Sequence, residues 1–376
     1  MRTKGLYFTV IFIFFLGCKE PFDTELPIVP QGYLVVDGFI NAQGITQIKL
    51  SRTTPLDQKK TLKPELNATL QIQGEDNSSY SFVTSANGTY SSASNILNSS
   101  TRYRLRIRTK DNKEYLSDYA SVKITPPMDS ISWTKENDGV QIYVTTHDDQ
   151  NRSIYYRWEY DETWEIRSAY SASYKYENGK IVPRGNNEPN IYYCWKYDTL
   201  RNIILQSSEK LNKDIISLKP LRFIPYLDEK MGVRYSIQVR QYALDKEGYQ
   251  FYELLRKNTE SLGTIFDPQP SALNGNIHSI SNSTELVIGY IGVTTMQQQR
   301  FFIDASNLGL RVFNILSECP SMDVPNRPDS LAKYIPPQWP YDAIFEGFGI
   351  KAYKVAEPRC VDCRLRGGNN LKPSFW

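Results

Sequence analysis

Residues 102–109 read RYRLRIRT, eight residues in strict alternation. Tyr103, Leu105 and Ile107 fall on one face and Arg102, Arg104, Arg106 and Arg108 on the other, which is the period of a strand with one dry side and one wet side. Working outward, similar short runs recur about every ten residues, a spacing typical of all-β domains. They are YLVVDGFI (33–40), TQIKLSRT (46–53), ATLQIQG (68–74), SYSFVTS (79–85), GTYSSA (88–93) and EYLSDYASVKI (114–124), separated by clusters of Asn, Asp, Gly and Ser. Short antiparallel strands punctuated in this way predict a β-sandwich over residues 32–126. The basic stripe of the arginine strand reads as a solvated face, with phosphate or lipopolysaccharide contact as the alternative.

TPPMDSISW (125–133) marks a boundary, because two prolines do not continue a central strand. A new alternating run, GVQIYVTT (139–146), then opens a second β-rich domain over residues 127–376. The long strand SIYYRWEYDETWEI follows, and between Tyr155 and Tyr197 there are nine tyrosines and three tryptophans. Such density suits a ligand or partner surface, for which Tyr155, Trp158, Trp164, Tyr170, Tyr174, Tyr192 and Trp195 are the candidates. It also suits the core of a second sandwich. The polar segment ENGKIVPRGNNEPN predicts a hairpin insertion. Asp245 is placed to cap a helix over about 246–262, with Phe251, Leu254, Leu255, Asn258 and Leu262 on one stripe and Gly263 beyond its end. The expected fold class is therefore mainly β: two antiparallel sandwiches of immunoglobulin, fibronectin or transthyretin-like type, the second carrying an added helix and an aromatic hairpin.

The N-terminus reads MRTKGLYFTVIFIFFLGC. Two cations precede an uncharged run from Leu6 to Leu16, which is short of the roughly 20 apolar residues that span a bilayer and has the anatomy of an export signal. FLGC resembles a lipobox, so residues 1–17 are expected to be a signal peptide and Cys18 the acylated residue. Acyl chains on Cys18 would hold the protein to a membrane, with the proline-rich, acidic segment 18–31 as a tether.

Export places Cys194, Cys319, Cys360 and Cys363 in an oxidising compartment, where disulfides are favoured. Four cysteines allow three pairings, and the residues leave the choice open. The CVDC pair, bracketed by Pro358 and by Gly367 and Gly368, reads as a structural staple whose distant partners are Cys194 and Cys319. A zinc site would want histidines at ligand spacing, and the chain has only His147 and His278. No metal or cofactor is expected.

The formal charge is +3 for the full chain, and closer to neutral without Arg2 and Lys4, so nucleic acid is not indicated as a partner. The 26 tyrosines and 16 phenylalanines favour strands. Catalytic motifs are lacking: the sequence has no nucleophile elbow, Walker loop, dinucleotide fingerprint or zincin helix. Ser207 with Lys210, and Ser330 with Lys333, match Ser-x-x-Lys by chance spacing. His147 beside Asp148 and Asp149 reads as a turn, and His278 as a packing residue.

Taken in order, FFLGC, CKEPFDTE, YLVVDGFI, YYRWEYDETWE, YSIQVRQYALDKEGYQFYELLRKNTE, GTIFDPQPSALNGNIHSISN and CVDCRLRGGNNLKPSFW resemble the Bacteroidota lipoproteins catalogued as domain of unknown function 4249. The resemblance spans essentially the whole chain. It implies an outer-membrane lipoprotein that acts beside a TonB-dependent receptor, as its accessory or ligand-capture partner, with the ligand unidentified. CKEPFDTE partly resembles an acidic surface-export signal, which favours the outward face. The expected function is non-enzymatic; a surface hydrolase of glycans or peptides and a structural envelope protein are the alternatives.

Overall fold

The computed structural model describes residues 32–54, 63–84, 87–199, 202–260, 273, 275–309 and 318–376. The expected signal peptide, Cys18, the tether and the end of the helix from residue 261 lie outside them. The chain is mainly β, as its composition and period predict.

The first unit is a closed eight-stranded barrel rather than a sandwich, which corrects the expectation of two sandwiches. Its ring runs Arg102–Arg108, Thr69–Gly74, Ser79–Thr84, Thr89–Ile96, Gln43–Arg52, Leu34–Asn41, Val293–Thr294, Ala120–Lys123 and back to Arg102–Arg108. Closure depends on Val293–Thr294. This short strand lies parallel to both neighbours, pairing Ile40 with Val293 and Val293 with Val122. An open sandwich would leave the edges of Leu34–Asn41 and Ala120–Lys123 unpaired, and closing the ring removes them. Two further segments of the later chain add outside the ring: Val287–Ile288 beside Leu34–Asn41, and Ile277–Ser279 on Glu114–Ser117.

The alternation of the arginine strand is realised in full. Tyr103, Leu105 and Ile107 are buried in the barrel with Leu34, Ile48 and Leu70. On the outer face Arg102 meets Glu75, Arg104 donates to Gln73 at 3.0 Å, and Arg106 pairs with Glu114 at 2.7 Å.

In the second unit a three-stranded sheet (Met128–Lys135, Gly139–His147, Ile215–Pro225) faces a five-stranded one. The latter contains Tyr193–Thr199, Tyr155–Arg167, Arg234–Leu244 and Met296–Asp304 in order, with Ile204–Ser207 also on Tyr155–Arg167. Their inner faces share one core that includes Ile142, Val144, Trp158 and Val239. The helix Lys246–Glu260 is capped by Asp245, which accepts the Gly248 amide at 2.8 Å, and it buries Phe251 and Tyr252 beside Leu205 and Tyr290.

A small sheet, Ser321–Pro325, Gly349–Ala356 and Trp339–Glu346, and the hairpin Tyr174–Glu177/Lys180–Pro183 complete the architecture. Both CVDC cysteines bond to distant partners. Cys363 joins Cys194 on the five-stranded sheet, and Cys360 joins Cys319 at the head of the small sheet. The tail then adds a bridge to the sheet edge, with the Trp195 amide donating to Asn369 at 2.7 Å and the Asn369 amide donating back at 2.9 Å.

Candidate functional site

Along Tyr155–Arg167 the period of two divides the side chains. Tyr156, Trp158, Tyr160 and Trp164 point into the core, so Arg157, Glu159 and Asp161 point outward. Antiparallel register sets Tyr242 opposite Arg157 and Arg240 opposite Glu159. Arg157 is ion-paired with Glu159, and its guanidinium lies 4.2 Å from the Tyr252 ring centroid and 5.5 Å from that of Tyr242. The Tyr242 hydroxyl donates to Glu159 at 3.0 Å. Arg240 is ion-paired with Asp161 and reaches Glu159 at 3.6 Å.

Arg157, Glu159 and Arg240 of this ladder line a recess of about 270 Å³, together with the exposed Asp37 of the barrel strand Leu34–Asn41 and the exposed Asn202. Next to it a small cavity of about 20 Å³ lies between the barrel and the sheet, lined by Phe39, Tyr242 and Tyr290 among others. Junctions of this kind favour ligand sites, because two bodies supply convergent groups that neither holds alone.

The junction itself is fixed by buried threonines. Thr295 is the single residue between the barrel strand Val293–Thr294 and the sheet strand Met296–Asp304. Thr125, at the first crossing of the chain, donates its amide to the Thr295 hydroxyl at 2.8 Å and its own hydroxyl to the Thr295 carbonyl at 2.5 Å. The Thr125 hydroxyl also accepts the Ala243 amide at 2.9 Å. The two walls of the recess are therefore pinned to each other.

Electrostatically the recess sets two guanidiniums against carboxylates. Burial pushes the Asp161 carboxyl upward, but the hydrogen bond and charge of Arg240 outweigh it and hold Asp161 below the ordinary carboxylate range. Burial likewise opposes the charge of Arg240, and Asp161 overrides it, leaving Arg240 raised. Burial raises the Tyr242 and Tyr252 phenols. The guanidiniums of Arg157 and Arg240 and the carboxylates of Asp37 and Glu159 can bind a polar ligand by hydrogen bonds and charge. Among the described residues, no three His, Cys, Asp or Glu side chains converge as a metal ion would require.

A second ionic cluster lies on the inner side of the same strand. Glu162, only 3 % exposed, accepts Lys230 at 2.5 Å, the Tyr235 hydroxyl at 2.7 Å and Arg222 at 3.1 Å.

The aromatic residues proposed from the sequence as a surface are for the most part packing residues. Trp158 is fully buried, its indole donating to Gln241 at 2.8 Å. Trp164 is buried beneath Lys230, which sits 4.7 Å above its ring, and Trp195 is buried against Trp376. Tyr155 is buried with its hydroxyl on Glu209. Tyr170 stacks on Tyr341 at 4.3 Å, and Tyr174 meets Tyr353 edge-on at 5.5 Å. Tyr192, half-buried, meets Tyr193 edge-on at 4.8 Å. The physical reason is area: a sheet covered on one face needs large side chains at every second position, and aromatics bury the most. His147 stands on the surface between Asp129 and Asp149, chiefly hydrogen-bonded to Asp129, which raises its pKa. His278, expected to pack, instead stands exposed on the short strand Ile277–Ser279, 3.3 Å from Asp118, because its strand adds outside the barrel ring.

Sequence reasoning missed the recess residues Asp37, Arg157, Glu159 and Arg240. The alternation of charge and aromatic in YYRWEYDE is the signal that could have found two of them.

One protein-family model, described as Domain of unknown function (DUF4249), matches residues 19–300. No curated protein matches the chain. Among solved structures, a two fibronectin type-III domain segment from chicken tenascin is similar at 10 % identity, covering 55 % of this chain and 88 % of its own, with a TM-score of 0.17. A DUF4785 family protein from Legionella pneumophila subsp. pneumophila str. Philadelphia 1 is similar at 8 % identity, covering 55 % of this chain and 51 % of its own, with a TM-score of 0.18.

Proposed function

Taking as premise that the chain belongs to the DUF4249 family, we propose that it is an outer-membrane lipoprotein of Bacteroidota that captures a polar ligand beside a TonB-dependent receptor and acts without catalysis. The observation that carries the reading is the recess between barrel and sheet. It gathers the guanidiniums of Arg157 and Arg240 and the carboxylates of Glu159 and Asp37, with Arg157 ion-paired to Glu159 and Arg240 held by Asp161 just outside the lining. Such a site binds through fixed charges. Lipid on Cys18 would confine it to the plane of the receptor, where effective concentration makes a weak contact sufficient.

The test is co-purification from outer membranes in mild detergent. The tag belongs in the exposed Asn178–Gly179 turn, since Phe375 and Trp376 at the C-terminus pack on the sheet. A stoichiometric TonB-dependent barrel is expected. Asp37→Lys with Asn202→Trp, both exposed positions at the recess, is expected to leave that association intact and abolish ligand-dependent uptake. Purification of the lipoprotein alone in every detergent, or unchanged uptake with the double variant, would overturn the proposal. Turnover of a glycan or peptide by the purified protein would favour the hydrolase reading instead.

A further inference from the structure

The small sheet ends in an exposed aromatic tip. Strands Trp339–Glu346 and Gly349–Ala356 are joined by the two-residue turn Gly347–Phe348, with Glu346 opposite Gly349. Gly347 has φ 60°, which fits the first central position of a type II′ turn, where glycine is preferred. The second central position usually takes a small polar residue; here it is Phe348, whose side chain is fully in solvent at 111 % relative exposure. Phe345, 60 % exposed, precedes the turn and stands opposite Ile350. Single exposed apolar residues need no explanation, but two phenylalanines at one hairpin apex expose apolar area that the fold does not use.

The apex is mounted rigidly. Gly349–Ala356 is the central strand of its sheet, and the disulfides Cys319–Cys360 and Cys194–Cys363 tie that sheet's ends to each other and to the five-stranded sheet. Its base is polar: Lys351 pairs with Glu346 at 2.8 Å, and the Asn326 amide donates to the Lys351 carbonyl at 2.9 Å.

We propose that Phe345 and Phe348 dock the protein on a lipid bilayer, inserting at the level of the headgroups. Two phenyl side chains bury about 150–250 Å² each, well short of the roughly 1,000 Å² a protein–protein interface requires. A bilayer accepts a narrow convex apolar tip without a complementary pocket, and a lysine stem beside aromatic side chains at the tip's base suits the headgroup level. The sequence supplies the bilayer's proximity. The tether from Cys18 to residue 31 spans at most about 50 Å when extended, and this step rests on the lipoprotein reading.

The experiment reconstitutes the full chain into vesicles of phosphatidylethanolamine and phosphatidylglycerol. An environment-sensitive fluorophore is placed at Phe348→Cys or, as control, at Ile96→Cys on the barrel, where Ile96 is 84 % exposed. The label at 348 is expected to shift to the blue and to be quenched several-fold more than the label at 96 by lipids brominated on their acyl chains, with the difference reduced by Phe345→Ser. Equal emission and quenching at the two positions overturn the proposal. A chain that washes off the vesicles refutes the lipoprotein reading separately. The same two labels, on a chain held through an N-terminal histidine tag to nickel-chelating lipid, then decide the tip.

Discussion

Replacing Glu162 by Gln is expected to destabilise the second unit by about 3 kcal/mol. Removing one partner of a buried ion pair costs about 3–5 kcal/mol, because the other charge stays buried without compensation. Glutamine keeps the volume and one acceptor oxygen, but its NH₂ group must face either Lys230, which bonds one oxygen of Glu162, or Arg222 and Tyr235, which bond the other. Lys230 is the exposed side of the problem only in name: its side chain is 8 % exposed, and its remaining carboxylate is Asp198 at 3.3 Å, itself 44 % exposed. Arg222, at 32 % exposure, can recover water. Those two outlets place the expectation at the lower end of the range. The assay is urea unfolding followed by tryptophan fluorescence, since Trp158 and Trp164 lie in the affected core. With a slope of about 3 kcal/mol per molar urea, the midpoint falls by about 1 M. Adding Lys230→Met is expected to return much of the loss, because a buried pair replaced by apolar groups is close to neutral. A midpoint within about 0.2 M of wild type for Glu162→Gln, or a double variant that loses the sum of the two single losses, would show that water screens the cluster and refute the reasoning.

Serine at both Cys194 and Cys363, which close a separation of 169 residues, is expected to cost about 5 kcal/mol at most on the chain-entropy scale, and more than the Cys319/Cys360 pair at a separation of 41; thermal unfolding of the two variants ranks them. For Asp161→Asn the sign follows from a folded carboxyl held below its ordinary value by Arg240: the contribution is present above the unfolded value of about 3.9 and is lost as pH falls through the lower folded one. The variant is therefore less stable than wild type at neutral pH, and the gap closes in acid; a constant gap across the titration would refute this. Thr125→Val removes the acceptor of the Ala243 amide and the donor to Thr295, and is expected to cost about 1–3 kcal/mol and to speed hydrogen exchange at Ala243 before the barrel core. Trp164→Ala is expected to lose about 3–5 kcal/mol through the buried volume it vacates, read as a lowered melting temperature.

The period of the arginine strand was enough to sort Tyr103, Leu105 and Ile107 inward and the arginines outward, because that division is local. Barrel and sandwich share it, so the choice between them was not legible. It is made by Val293–Thr294, which returns about 170 residues after Val122 to pair with it in parallel. The cysteines were legible as a staple for the same kind of reason, since compartment and flanking residues are local, whereas the pairing depends on where Cys194 and Cys319 arrive in space. At the candidate site the error was one of face. YYRWEYDE contains both the core and the recess on alternate residues, and the larger side chains drew attention to the buried set. Arg240 and Asp37 come from strands that only the fold brings alongside.

The same late strand that closes the barrel also makes the recess. Because Val293–Thr294 enters the ring and Met296–Asp304 enters the five-stranded sheet with only Thr295 between them, the two bodies cannot separate without breaking one strand or the other. The first crossing of the chain, at Thr125, is hydrogen-bonded to that same residue. Two of the chain's three crossings between the bodies are joined at one point, which restricts hinge motion there, since a hinge needs a few residues free to change φ and ψ. The gap lined by Asp37, Arg157 and Arg240 is thus preorganised, and a preorganised polar site loses less on binding than one that must be ordered by its ligand. Ligand exchange at such a site occurs through the open side of the recess, so variants at the rim, Asp37 and Asn202, should alter it while Thr125 and Thr295 set the shape it exchanges from.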